Sequence, residues 1–235
     1  RCPLARLLSE YAWHGGHRPV RENGQSCKAG RSDGRRMMKL GIFAKTFAGS
    51  DPATVMTAAS RAGYAAVQYN MACSGLDSMP ERIAVQTAGA VAAAAQSLGL
   101  AVVAVSGTYN MIHPDKTRRE DGHARLATLA SRCKAMSTRM ISLCTGTRDP
   151  DDQWREHIDN ESSEAWSDLL ASMEIAIGLA ERYDIELGVE PELANVVNSP
   201  AKARKLIREL QSPRLRIILD PANLFEHATG AEQHR

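Results

Sequence analysis

No apolar run in this chain approaches the roughly 18–20 residues that a bilayer span needs. The longest candidate, Ala88–Ala95, is short and alanine-rich and reads as the packed face of a helix. There is no C-x-x-C pair. The five cysteines (Cys2, Cys27, Cys73, Cys133 and Cys144) are odd in number and scattered, which argues against a disulfide framework and for reduced thiols in a cytosol. The expected location is therefore cytoplasmic. Glycine and proline are modest, 17 and 10 of 235 residues, too few for low-complexity disorder. Neither G-x-G-x-x-G nor G-x-x-x-x-G-K-[ST] follows the first strand-like run. Gly41 and Gly49 are too isolated to cradle a phosphate, which weakens a dinucleotide-binding reading.

What is present is ordinary globular material, 43% hydrophobic and 24% charged, enough for one sizeable core. The net charge of +2 is unevenly placed. Residues 1–36 carry eight Lys/Arg against three Asp/Glu, whereas the remaining 199 carry 21 against 24. The body is thus mildly acidic, which argues against a broad nucleic-acid surface. The basic leader has no apolar period of 2 or 3.6, and Met37-Met38 stands directly before a strand-like run. Residues 1–37 are therefore expected to be a disordered or non-native extension. The pair His14 and His17 is not taken as a metal site.

From residue 38 onward short apolar runs alternate with segments of helical spacing. The strand candidates are Leu40–Ala44, Ala65–Tyr69, Ala101–Ser106, Met140–Cys144, Glu186–Glu190 and Leu215–Asp220. The helix candidates are Asp51–Ala62, Pro80–Leu98, Arg118–Met136, Ser163–Tyr183 and Pro200–Leu210. Ser50-Asp51-Pro52 and Ser199-Pro200 are start signals, and Gly63 and Gly99 are stop signals. Such alternation predicts a mostly parallel sheet with helical crossovers, either an open doubly wound sheet or a (β/α)8 barrel.

In barrels the chemistry sits where strands end. Polar residues gather at those positions: Tyr109 to Asp115 after the third strand, Cys144 to Pro150 after the fourth, Glu190-Pro191-Glu192 after the fifth and Asp220-Pro221-Ala222-Asn223 after the sixth. Glu190 and Asp220 close neighbouring strands. Their carboxylates would lie roughly 5–8 Å apart, given a strand spacing near 4.8 Å. Hard oxygen ligands at that separation suit a divalent cation, although an acid after a strand also often caps the next loop or helix. A cation there would polarise the oxygens of a sugar or keto acid, and an adjacent carboxylate would take a proton from the carbon next to the carbonyl.

Leu40-Gly41-Ile42-Phe43, the Gly63-Tyr64 turn, Val189-Glu190-Pro191 and Leu219-Asp220-Pro221 together resemble the sugar phosphate isomerase/epimerase superfamily. These are xylose isomerase-like (β/α)8 barrels, and the resemblance covers residues 38–235. It implies an α/β barrel fold and a metal-dependent sugar or sugar phosphate isomerase or epimerase. Glu190 would be metal ligand and candidate base, and Asp220 the second ligand. Mn²⁺, Mg²⁺ or Co²⁺ suits such a site. A lyase or dehydratase on the same barrel is the alternative. The resemblance also implies a histidine and a glutamate as further ligands from a seventh and an eighth strand. This chain offers no position for either, because six βα units fill its 198 residues from 38 on. It is therefore expected to be a partial barrel truncated at its C-terminus, with an inactive fragment as a further alternative. A histidine common three residues after the aspartate is here Asn223, which departs from that pattern.

Asn110, His113, Arg148, Glu192 and Asn223 are the candidate substrate contacts. Asp149, Asp151 and Asp152 offer Arg148 an alternative ion pair. Trp154 is a candidate lid and Asn195 a loop-fixing residue. Cys144 reads as a small buried residue, since no adjacent base argues for a nucleophile. The expected partner is a small sugar or sugar phosphate, with no nucleic acid and no membrane. The resemblance also admits a homodimer.

Overall fold

A computed structural model describes residues 38–224. The basic extension 1–37 lies outside the described residues, as do 225–235. Six parallel strands form one sheet: β1 (Gly41–Phe43), β2 (Ala66–Tyr69), β3 (Ala101–Ser106), β4 (Met140–Leu143), β5 (Glu186–Val189) and β6 (Leu215–Ile217). Their order is β1-β2-β3-β4-β5-β6, each strand beside its neighbour in sequence. A doubly wound sheet reverses its order part-way. The unbroken order is that of a barrel wall, and it decides between the two architectures.

The crossovers are α1 (Pro52–Arg61), α2 (Val85–Ser97), α3 (Lys116–Arg132), α4 (Ser163–Tyr183) and α5 (Pro200–Leu210). A single helical turn, α6 (Pro221–Leu224), follows β6. The caps are those the sequence offers. The Asp51 carboxylate accepts from Thr54 N at 3.0 Å and Ser199 Oγ from Lys202 N at 3.3 Å, each just before a proline in the first turn. On α2, Ala88, Val91, Ala94 and Ala95 are the buried face. The core between helices and sheet is built from fully buried Met56, Val67, Tyr69, Leu126, Leu129, Ile141, Leu143, Leu169 and Met173. Among the described residues no helix is long and apolar enough to cross a membrane.

Two helix boundaries differ from expectation. α2 begins at Val85 rather than Pro80, because side chains of α3 claim the carbonyls of the preceding segment and keep it out of the helix. Arg125 Nη1 donates to the Met79 carbonyl at 2.8 Å, Thr128 Oγ1 to that of Glu81 at 3.1 Å and Arg132 Nε to that of Ile83 at 3.0 Å. α3 ends at Arg132, and its continuation tightens into a 3-10 turn over Lys134–Met136. Ser137 then takes a left-handed conformation, φ 61°.

At the opposite end of the sheet from the strand C-termini, Asp184 gathers three cations. Its carboxylate pairs with Lys134 at 3.0 Å, with Arg214 at 2.8 Å and with Arg139. The hydrogen bonds from Lys134 and Arg214 hold the carboxyl well below its ordinary range. One residue thus ties the approach to β4, the end of α4 and the start of β6. Asp184→Asn keeps a side chain that tolerates the left-handed backbone, φ 52°. It is expected to lower the melting temperature at pH 7. The difference should shrink in high salt, which screens exposed pairs, and should vanish as pH falls below the carboxylate range, where the stabilisation is lost. Equal melting temperatures in low salt at neutral pH would remove Asp184 from this role.

Candidate metal centre

The sheet register brings the acidic residues together. Leu143 pairs with Val189 across β4 and β5, and Val189 with Ile217 across β5 and β6. The residues that follow leave the sheet side by side. Glu190 N donates to the Leu143 carbonyl at 2.8 Å, and Ile218 N to that of Val189 at 2.9 Å. Glu190 and Asp220 are each half-buried and hydrogen-bonded to one another. Asn223 Nδ2 donates to Glu190 Oε1 at 3.1 Å. Glu192 points to the same place. Its Oε1 accepts from Cys144 Sγ at 3.6 Å, and Thr108 Oγ1 donates to that sulfur at 3.9 Å. One ligand atom each from Cys144, Glu190 and Glu192 lies within 4.8 Å of the others.

Burial first, then the charges of Glu192 and Asp220, push the Glu190 carboxyl up to about 7. Burial and the same two glutamates push the Cys144 thiol well up, so it is neutral at pH 7. Three carboxylates converge at one end of the sheet, and the other two each disfavour ionisation of Glu190. Carboxylate oxygens at adjacent strand ends are what a divalent cation requires, so the residues present fit such an ion.

A pH dependence follows. Without a cation, Glu190 holds its proton to about pH 7 when folded, against 4.5 ordinarily. The folded state then binds more protons than the unfolded one, and stability falls as pH rises across that window. The melting temperature in chelator should decline from about pH 5 to pH 7.5. Glu190→Gln should flatten that decline. An unchanged slope in the variant would assign the titration elsewhere.

Of the expected site residues, the structure brings Glu190, Glu192, Asp220 and Asn223 together. Asn110, His113 and Arg148 form a separate cluster and are spent on loops. His113 Nδ1 accepts from Asp115 N at 3.0 Å, so its Nε2–H donates to the Pro150 carbonyl, also at 3.0 Å. Asn110 Oδ1 accepts from Thr147 N at 3.1 Å, and its Nδ2 donates to the Thr147 carbonyl at 2.8 Å. Arg148 does not pair with the following aspartates. It donates to the Ile112 carbonyl at 3.0 Å and meets Asp168 of α4 at 2.7 Å, while Arg155 takes Asp149 at 3.0 Å. A cleft of about 290 Å³ opens beside this cluster, lined by Asn110, His113, Arg118, Arg125 and Asp149 among others.

Asn195 fixes its loop at long range rather than by a local turn, its Oδ1 accepting from Gly146 N at 2.6 Å. Val197 N donates to Thr145 Oγ1 at 3.0 Å, so the loop that carries Glu192 is stitched to the loop after β4. Trp154 is 46% exposed. Two participants escaped sequence reasoning. Asn160, buried, accepts from Arg148 N at 2.7 Å and donates to the Ala194 carbonyl at 3.0 Å. Cys144 stands among the carboxylates. Its place at the end of β4, one strand from Glu190, was the available signal.

A family model described as the xylose isomerase-like TIM barrel matches residues 56–234. The chain belongs to this family. The solved structures that resemble it include 3-keto-D-glucoside 4-epimerase YcjR from E. coli, at 17% identity and TM-score 0.65, covering 84% of this chain and 74% of the epimerase. IolI protein with a bound zinc atom matches at 15% identity and TM-score 0.63, over 83% of this chain and 67% of that one. The probable 3-DHS dehydratase AsbF from Bacillus anthracis matches at 14% identity and TM-score 0.62, over 80% and 65%. At these identities the likeness is one of fold. No curated protein matches the sequence. The chain spans about two thirds to three quarters of these neighbours, and its described residues hold the β1–β6 wall.

Proposed function

We propose that the protein is a metal-dependent sugar or sugar phosphate isomerase or epimerase that acts by moving a proton next to a carbonyl. The observation that carries this reading is the hydrogen-bonded pair Glu190 and Asp220 at adjacent strand ends, in a chain whose fold neighbours include a sugar epimerase. Glu190 and Asp220 would hold a divalent cation, which would supply electrostatic stabilisation at the substrate's carbonyl oxygen.

Glu190 would also be the proton acceptor. A divalent cation beside it would favour its ionised form, which is the form that accepts a proton. Glu190 takes the proton from the carbon beside the carbonyl, and the electron pair of that C–H bond moves toward the carbonyl oxygen. Return of that proton from Glu190 to the neighbouring carbon gives the isomer, whereas the epimer requires a second acid that donates a proton from the opposite face. Asn223 Nδ2, on Glu190 Oε1, fixes the carboxyl's orientation. We assign Asn110, His113 and Arg148 to holding the rim of the site, since their polar atoms already serve the loops around Thr147 and Pro150.

A second reading, dehydration on the same barrel, is favoured by the fold likeness to the probable dehydratase. The test is deuterium uptake from D₂O into a panel of free and phosphorylated ketoses, with Mn²⁺, Mg²⁺ or Co²⁺ supplied. The proposal expects label at the carbon beside the carbonyl, dependent on the cation and lost in Glu190→Gln. Label that appears equally in chelator would overturn it. Release of water from a hydroxylated keto acid without label uptake into any ketose would transfer the assignment to the dehydratase reading.

A further inference from the structure

Cys144 is the group near the carboxylates that the proposed reaction does not use. The residue is 5% exposed, and its thiol is in no disulfide. Its position is set by the sheet, because the residue after Leu143 must emerge beside the residue after Val189. We propose that Cys144 Sγ is a metal ligand, together with Glu190 and Glu192, and that the site therefore takes a thiophilic cation, Zn²⁺ or Co²⁺, in preference to Mg²⁺. This rests on the reading of Glu190 as a metal ligand and adds a donor from a different strand and of a different chemical class.

The geometry supports it. With bonds of about 2.3 Å to sulfur and about 2.1 Å to oxygen, two ligands at a tetrahedral angle are about 3.6 Å apart. The Cys144 Sγ to Glu192 Oε1 separation is 3.6 Å. Glu190 completes a set of three donors whose ligand atoms lie within 4.8 Å of one another. Three elements supply the donors: the end of β4, the end of β5 and the loop after β5. Thr108 Oγ1, 3.9 Å from the sulfur, is a hydroxyl donor that would support a thiolate. On binding, the Cys144 S–H bond breaks, its proton leaves to solvent and the sulfur–metal bond forms, with no change of oxidation state. Soft sulfur discriminates where oxygen does not: carboxylates alone suit Mg²⁺ and Mn²⁺, whereas a thiolate selects zinc-like ions.

The experiment is a Co²⁺ titration of the chelator-treated full chain under reducing conditions, read in the visible and near-ultraviolet. The expected result is one equivalent of bound Co²⁺ with a sulfur-to-cobalt charge-transfer band. Cys144→Ser should lose the band and weaken Zn²⁺ binding by on the order of 10–100-fold, the range that even outer partners of a metal carry. Mg²⁺ binding should barely change. Zinc-edge X-ray absorption on the unmutated chain needs no variant and should show one sulfur scatterer at about 2.3 Å. Co²⁺ bound through Glu190, with the band absent and an all-oxygen or nitrogen shell, overturns the thiolate ligand and leaves the proposed function standing. A band that survives in Cys144→Ser also overturns it. If no Co²⁺ or Zn²⁺ binds, both this inference and the metal reading of Glu190 fail.

Discussion

Glu190→Gln is expected to abolish divalent-cation binding while leaving the barrel folded. Above neutral pH the metal-free variant should be more stable than the parent. The amide matches the carboxylate in shape. Its oxygen can still accept from Asn223 Nδ2, which now reaches Glu190 Oε1 at 3.1 Å, and its Nε2 can donate to Asp220. What it lacks is the charge. In the parent that charge is disfavoured by burial and by Glu192 and Asp220, which together raise the carboxyl from 4.5 to about 7. Removing it relieves a penalty on the order of 1–3 kcal/mol at pH 8. Calorimetric titration with Mn²⁺ and thermal unfolding in chelator at pH 8 read the two halves separately. A glutamine variant that binds Mn²⁺ as tightly as the parent would sink the assignment of Glu190.

Gly146→Ala should be the most damaging small substitution near the site, with a loss of roughly 2–4 kcal/mol in stability. Gly146 has φ +81°, and an added Cβ would sit 2.2 Å from Asn110 Oδ1 and 3.0 Å from Asn110 Cα. The clash is with backbone as well as side chain, so no rotamer relieves it. The same residue donates its N–H to Asn195 Oδ1 and its carbonyl accepts from Val196 N at 3.0 Å. Displacing it pulls on the loop that carries Glu192, and cation affinity should fall with stability. Gly89→Ala is the control: nothing lies within 4 Å of its added Cβ, and in the interior of α2 it should stabilise by up to about 1 kcal/mol. Urea unfolding of both variants measures the contrast. Equal midpoints for Gly146→Ala and the parent would show that the turn is not under the constraint described.

The barrel wall was legible because its evidence is local. Each strand carries its own apolar run, and each turn its own cap or glycine. Strand ends therefore fall within a few residues of expectation, and the spacing alone places Glu190 and Asp220 beside one another. The start of α2 was not legible. The groups that keep Met79 to Ile83 out of the helix are side chains of α3, more than 40 residues away in sequence. The same distinction divides the site. His113 and Arg148 look like substrate contacts in a sequence, because a polar residue after a strand is free until something claims it. The claimants, the carbonyls of Pro150 and Ile112, lie 37 and 36 residues off. Cys144 was discounted for want of an adjacent base, yet its neighbour Glu192 is 48 residues distant and arrives through sheet register. Sequence adjacency is a poor guide where parallel strands set the contacts.

The proposed function requires a divalent cation at the ends of β5 and β6. Anomalous diffraction from crystals soaked in Co²⁺, recorded on either side of the cobalt edge, tests it most directly. The expected result is a single strong peak bounded by the carboxylates of Glu190 and Asp220, with Glu192 and Cys144 Sγ beside it. A peak elsewhere, with ordered density at Glu190 and none between it and Asp220, would contradict it.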